Sequence, residues 1–175
     1  PVFVKDLPDV ILDGEGASSL IELDEYFEEA TGETLEYGVE VPDTRPVSAE
    51  IQKNRLLLKY RDFGQTQITV FARDYAGHAV SASLSVLSRE SSSHPFDLYP
   101  VPVVDILNIR PPGVELSEFR VVVTARSGAD VFDRVMKGSA FEPAGIDMSA
   151  CGPGVYNVSI RPMEGNAYAK SIVKR

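Results

Sequence analysis

The chain has 175 residues, of which 43% are hydrophobic and 25% charged, and its formal net charge is −9. This composition excludes wholesale disorder, and no apolar run approaches the roughly 20 residues that a membrane-spanning helix needs. All of the net negative charge lies in residues 1–88, whereas residues 89–175 are neutral overall. An acidic half would repel phosphate backbones, so we expect no nucleic-acid partner.

The first half predicts short β-strands separated by turn residues. We place strands near 20–27, 35–41, 47–51, 55–59, 65–73 and 79–87. In the last two, apolar and polar residues alternate around Asp74-Tyr75-Ala76-Gly77, a turn in which Gly77 can take a positive φ. Such a hairpin has one buried and one solvent-facing side. The acidic segment 24–29 could form a helical turn, which Thr31-Gly32 would end.

A polar, Ser-rich stretch divides the chain. Residues 88–95 end in Pro95 and have no apolar period, which is typical of a linker. Beyond it, strands are predicted near 103–109, 118–125, 129–136, 153–161 and 167–173. The expected fold class is therefore all-β, with two small immunoglobulin-like β-sandwich domains in tandem. Their predicted bounds are 1–88 and 97–175, joined by a linker over 89–96.

Residues that could catalyse a reaction or bind a metal are sparse. His78 follows the hairpin turn and His94 lies in the linker, so neither is expected to act as a general base. The single cysteine, Cys151, cannot form an internal disulfide and has no nearby histidine, so we expect it to be a small packing residue. No catalytic, cofactor-binding or metal-binding residues are therefore predicted. Calcium remains a minor alternative, resting on dispersed carboxylates at Asp6, Asp9, Asp13, Asp24, Asp43 and Asp74.

Several segments of the second half occur in a distinctive order. Leu98-Tyr99-Pro100-Val101-Pro102 precedes Asp105-Ile106-Leu107-Asn108-Ile109, and Ile146-Asp147-Met148-Ser149 precedes Gly154-Val155-Tyr156-Asn157-Val158. The sequence given finishes with Tyr168-Ala169-Lys170-Ser171-Ile172-Val173-Lys174-Arg175. In this order and spacing the segments resemble the C-terminal sorting domain of the type IX (Por) secretion system of Bacteroidetes. Val101 departs from the family pattern, which usually has Asn there.

The resemblance implies that residues 97–175 are an export signal. Its motif would comprise Tyr99, Pro100, Pro102, Asp105, Leu107, Ile109, Gly154, Tyr156, Lys170, Ile172, Val173, Lys174 and Arg175. The implied partners are the outer-membrane translocon and a surface sortase-like peptidase, which removes the signal and joins the passenger to anionic lipopolysaccharide. We expect cleavage in the linker, around Ser91, Ser92, Ser93 and His94, and a final location at the cell surface or outside the cell.

The physics of the last predicted strand adds one expectation. Lys170 and Lys174 should point outward or lie at a sheet edge, because an unpaired buried cation is costly. An accessible edge strand carrying positive charge could serve as a docking surface for a receptor.

The first half resembles, less specifically, the cadherin-like or immunoglobulin-like repeats of bacterial surface proteins. The resemblance rests on the segments 21–27, 35–39 and 68–77. Such modules often precede the sorting domain in secreted subtilisin-like peptidases of Bacteroidetes, so a catalytic domain could lie upstream in the same chain. The sequence given begins Pro1-Val2-Phe3, and we expect it to be an internal fragment whose own export signal lies elsewhere. Two further roles remain open: adhesive sandwiches that bind host protein or glycan, and a structural spacer.

Overall fold

The computed structural model describes residues 1–90 and 96–175. The chain forms two compact units, Pro1–Ser92 and Ser93–Arg175. Within the described residues, the one helical element is a 3-10 helix at Leu23–Glu25, and no helix is long and apolar enough to cross a bilayer. The predicted all-β class, with β-sandwiches in tandem, is confirmed.

The first unit contains nine strands. They are β1 Val2–Phe3, β2 Val10–Asp13, β3 Ser18–Glu22, β4 Phe27–Glu28, β5 Glu36–Glu40, β6 Val47–Gln52, β7 Arg55–Tyr60, β8 Gly64–Arg73 and β9 Ala79–Arg89. A four-stranded sheet has the order β2-β9-β8-β5, a three-stranded sheet the order β3-β7-β6, and β1 pairs with β4. Both larger sheets contribute to one apolar core, which includes Leu12, Leu56 and Ile68.

The β8–β9 hairpin shows why this sheet has one apolar face. Ile68 and Val70 on β8 are fully buried and lie opposite Leu84 and Ala82 on β9. On the other face, the side chain of Thr69 is hydrogen-bonded to Ser83. Gly77 takes the predicted left-handed conformation in the turn, with φ of 88°. The period-2 alternation therefore predicts both faces and the turn correctly.

The second unit contains seven strands. They are β10 Asp97–Tyr99, β11 Ile106–Arg110, β12 Ser117–Ala125, β13 Asp130–Gly138, β14 Ala144–Asp147, β15 Gly154–Pro162 and β16 Tyr168–Lys174. The smaller sheet has the order β10-β11-β14 and the larger one β13-β12-β15-β16. Their inner faces share a core in which Phe96 meets the ring of Phe119 edge-on, with 5.4 Å between ring centroids. The strands β13 and β16 form the two edges of the larger sheet.

Several sequence expectations need adjustment. The strand predicted over 20–27 is interrupted, because Leu23–Glu25 form the 3-10 helix, and β1, β2, β10 and β14 were not predicted. The predicted linker 89–96 is also shorter at both ends. Arg89 is the last residue of β9 and bonds to Asp13, and Phe96 packs in the second core because its ring is apolar. The proposed cleavage residues Ser91, Ser92, Ser93 and His94 lie outside the described residues.

Candidate functional site

The first motif begins on β10 and continues into a loop. The Tyr99 hydroxyl accepts a hydrogen bond of 3.1 Å from Arg110, whose guanidinium also lies over the Tyr99 ring, 5.0 Å from its centroid. The peptide bonds preceding Pro100 and Pro102 are both cis. Tyr99 is therefore held on the sheet by the neighbouring strand, and the two prolines lie where the chain leaves β10.

The next motif residues lie on or just before β11, the central strand of the smaller sheet. Leu107 and Ile109 are fully buried in the second core. Asp105 has an exposed side chain, and its backbone carbonyl accepts a hydrogen bond of 2.7 Å from Met148 N–H. The Leu and Ile of the Asp-x-Leu-x-Ile pattern therefore act as core residues, whereas its aspartate faces solvent.

The turn before β15 carries two more features of the motif. Asp147 accepts a hydrogen bond of 2.9 Å from the backbone N–H of Ser149, and hydrogen bonding to Ser149 holds the pKa of this carboxyl below its ordinary value. Gly154 begins β15, and Tyr156 is buried with its hydroxyl donating a 2.8 Å hydrogen bond to the carbonyl of Gly152. Tyr156 therefore fastens the turn to the core through its hydroxyl group.

The strand β16 places its motif residues on two faces. Ile172 is buried in the core, whereas Val173 and Arg175 are exposed on the opposite side. Lys170 is exposed, as expected. Lys174 is 7% exposed, so its side chain does not point outward. It does lie on β16, an edge strand of the larger sheet, which is the other position that the sequence argument allowed.

A hydrogen bond explains how this cation is accommodated. The Nζ of Lys174 donates a 2.7 Å hydrogen bond to the backbone oxygen of Arg175. The four methylene groups of a lysine can cover apolar surface while the ammonium group reaches a polar acceptor at the margin. Lys174 is therefore both a packing residue and a donor at the end of β16.

A long-range backbone contact joins the start and the end of the motif. Val103 N–H donates to the carbonyl of Val173 at 2.7 Å, and Arg175 N–H donates to the carbonyl of Val103 at 2.9 Å. Val103 thereby forms a parallel bridge with Lys174. Val103 is fully buried, and sequence analysis missed its role because nothing local to residue 103 indicates a partner so far along the chain.

A concave region lies at another end of the second unit. It has a volume of about 720 Å³ and is lined by Phe96, by residues 112–115 and 117–118, and by residues 162–166. Val114 and Met163 contribute exposed apolar surface there. None of the sorting-motif residues lines this cavity, so it is separate from the motif.

The histidine of the first unit has a structural partner. His78 Nδ1 lies 3.0 Å from Asp74 Oδ2, and the His78 backbone N–H donates to Asp74 Oδ1 at 2.8 Å. Burial alone would raise the pKa of Asp74, but these hydrogen bonds outweigh it and the net shift is downward. The arrangement braces the hairpin turn, and the His78 side chain remains mostly exposed.

The acidic residues considered for calcium do not converge. Asp24 accepts hydrogen bonds from Tyr37 and Asn54, and Asp43 pairs with Arg45. Across residues 1–90 and 96–175, no group of three or more His, Cys, Asp or Glu side chains is placed to hold a metal ion. The sulfur-bearing Cys151 is a free cysteine that packs against the second core.

Comparison with known families bears on the second unit. Residues 97–174 match the family model described as "Secretion system C-terminal sorting domain". The match covers a little less than half of the chain, confirms the resemblance of the second half, and supports a type IX sorting signal on a secreted protein. Such a domain is generally non-catalytic, and its presence implies export to the cell surface or beyond. No curated protein matches the chain in sequence.

Solved structures were also compared. Dimeric latent PorU from Porphyromonas gingivalis is 14% identical over 95% of this chain and 19% of that chain, with a TM-score of 0.33. The human desmocollin-1 ectodomain is 17% identical over 98% of this chain and 36% of that one, with a TM-score of 0.32. For protocadherin gammaB7 EC3-6, the identity is 12%, the coverage 100% and 48%, and the TM-score 0.39. The chain thus spans less than half the length of each of these structures.

Proposed function

We propose that residues 97–175 direct export of the protein to which they belong through the type IX secretion system. The observation that carries the proposal is the family match over 97–174, which coincides with one compact structural unit. The translocon in the outer membrane is the partner that the family implies. The first unit then belongs to the exported passenger.

The positions of the motif residues support the proposal that the export machinery recognises the signal as a folded domain. Leu107, Ile109, Tyr156 and Ile172 come from three different strands and pack into one core. A receptor that contacted an unfolded peptide would not need this long-range packing. We therefore expect export to require a folded second unit.

Deletion provides the direct test. A chain lacking residues 97–175, expressed with its natural passenger in a bacterium that has a type IX system, should accumulate in the periplasm, whereas the intact chain should reach the surface or the medium. The first unit should remain folded in the truncated protein, because its core includes no residue beyond 96. Normal surface display of the truncated protein would contradict the sorting role.

Removal of the signal after export is a second, separate part of the proposal. Family membership implies that a sortase-like peptidase cuts the chain and that the passenger is joined to anionic lipopolysaccharide. The Ser-rich composition around Ser91–His94 favours cleavage there. Mass spectrometry of surface protein should find a new C-terminus within residues 88–98 carrying a lipopolysaccharide adduct, and surface protein that retains Arg175 would contradict the cleavage.

For the first unit we propose a spacer or interaction role without catalysis. Its one histidine, His78, is engaged with Asp74 in a turn, which favours a structural role over that of a general base. The purified chain should hydrolyse neither peptide nor ester substrates. Turnover that His78→Ala abolishes would overturn this assignment, and any peptidase activity of the parent would reside in an upstream domain.

A further inference from the structure

The two ends of the family-matched region meet at one edge of the larger sheet of the second unit. The Val103 bridge pairs the loop after Pro102 with the end of β16, through hydrogen bonds of 2.7 and 2.9 Å. Because β16 is otherwise an edge strand, the loop continues the sheet for one residue beyond it. Side chains of both motif ends therefore share one surface.

Three exposed valines lie on the three adjacent backbone segments at this place. Val104 follows the bridge residue and is 57% exposed, Val173 is 44% exposed, and Val155 lies directly opposite Val173 and is 45% exposed. Their neighbours Val103, Lys174 and Tyr156 are buried, so alternation turns Val173 and Val155 to the outer face. The parallel bridge between Val103 and Lys174 sets Val104 level with Arg175, two residues along from Val173. Adjacent segments are about 4.8 Å apart and two residues span about 6.6 Å, so the three valines form a bent row about 12 Å long.

Charged side chains surround this row. Arg175 is exposed beside Val173, and Arg126 is exposed where β12 ends, one residue beyond the position opposite Tyr156. Asp105, next to Val104, adds one exposed carboxylate, so these three side chains carry a net positive charge. An apolar centre with a charged rim is the usual make-up of a protein interface, and a net positive rim is complementary to an acidic one.

We infer that Val104, Val155, Val173 and Arg175 form one composite docking face for a protein component of the export machinery. The inference rests on the proposed sorting function. The partner presents an apolar patch bordered by acidic side chains, and it recognises both ends of the matched region together instead of a linear C-terminal peptide. A lipid surface fits less well, because membrane-binding faces combine bulky apolar residues with many cations, and this face has three valines and two arginines.

The test uses three substitutions on the face and one matched control. Val104→Asp, Val155→Asp and Val173→Asp each place a charge in the apolar row, whereas Val135→Asp makes the same change on the outer face of β13, where Val135 is 62% exposed. Val135 on β13 lies opposite Arg120 on β12, and Arg120 lies opposite Arg161 on β15. Arg161 is six residues along β15 from Val155, so Val135 is about 20 Å from Val155 along the strand direction. The deletion of 97–175 serves as the reference for complete loss of the signal.

Each face variant should lower export of the full-length protein about tenfold or more, as loss of a central interface contact does. Val135→Asp should be exported like the unmodified chain. All four variants should keep the melting temperature of the second unit within about 5 °C, because the substituted positions are exposed. Arg175→Glu should also reduce export, since it would face an acidic rim.

The outcomes separate this inference from the proposed function. Normal export of the face variants, with export abolished by the deletion, would overturn the docking face and leave the sorting role in place. Normal export of the deletion would overturn both. An equal loss in Val135→Asp would show that the face is not specific, and binding of the purified chain to phosphatidylglycerol vesicles that Val173→Asp removes would overturn the protein occupant.

Discussion

Replacing Leu107 by alanine should strongly destabilise the second unit while leaving the stability of the first unchanged. Leu107 is completely buried on the central strand of the smaller sheet. Removing a buried leucine side chain loses its transfer free energy and leaves a cavity, at a cost of about 3 to 5 kcal/mol. A unit of roughly 80 residues has a free energy of unfolding of about 4 to 12 kcal/mol, so the substitution removes a large part of it. The melting temperature of the unit should fall by at least about 12 °C.

Hydrogen exchange with peptide-level mass spectrometry measures the two units separately in one chain. Peptides from residues 97–175 should lose protection in Leu107→Ala, and peptides from residues 1–88 should not. Leu116→Ala is the matched control: Leu116 belongs to the same unit but is 61% exposed, so its truncation should change stability by less than about 0.5 kcal/mol. Equal loss of protection in both units would refute the argument, because the cores would then not be energetically separate.

Three further predictions follow from individual side-chain contacts. Tyr156→Phe should lower the free energy of unfolding of the second unit by about 1 kcal/mol in urea, because it removes the hydroxyl that donates to Gly152 while the ring still fills the core. The pKa of Asp43 lies at about 2 because of hydrogen bonds from the Arg45 side chain and backbone. The ionised Asp43 therefore stabilises the folded protein above the ordinary pKa of an aspartate, and this contribution is lost as the pH falls towards 2. In an NMR titration, Arg45→Ala should raise the pKa of Asp43. The rise should be partial, because the backbone N–H of residue 45 still donates to the carboxylate in the variant. Lys174→Met should leave the melting temperature unchanged or raise it, since it removes a buried charge but keeps the apolar stem, whereas Lys174→Glu should lower it.

The strands that the sequence predicts are those whose alternation is long enough to be seen locally. The strands β8 and β9 alternate over about ten residues, and each face of the hairpin follows from that period. By contrast, β2 has four residues and pairs in parallel with β9, far along the chain. The strands β10 and β14 have three and four residues, and both owe their extended conformation to pairing with β11. No local pattern distinguishes such segments from loops.

The same physical limit applies to the candidate site. Family resemblance indicates which residues belong to the motif, but it does not tell which of them reach the surface. The burial of Lys174 depends on a carbonyl acceptor at Arg175 and on the apolar core beneath its stem. The bridge between Val103 and Lys174 depends on how two sheets place their edges. Both are results of tertiary packing, so an argument from the cost of a buried cation alone could not decide between an outward side chain and a position at a sheet edge.

The division between buried and exposed motif positions restricts how a sorting signal of this kind can work. A partner outside the molecule cannot contact Leu107, Ile109 or Ile172, because these side chains are almost wholly buried. Their contribution to sorting must therefore pass through the fold that they stabilise. The exposed side chains that follow Ile172, such as Val173 and Arg175, are held in place by that fold and can contact a partner. Stability and recognition should consequently be separable by substitution: changes beneath the sheet should reduce export only as far as they unfold the unit, and changes on its outer face should reduce export while the unit stays folded.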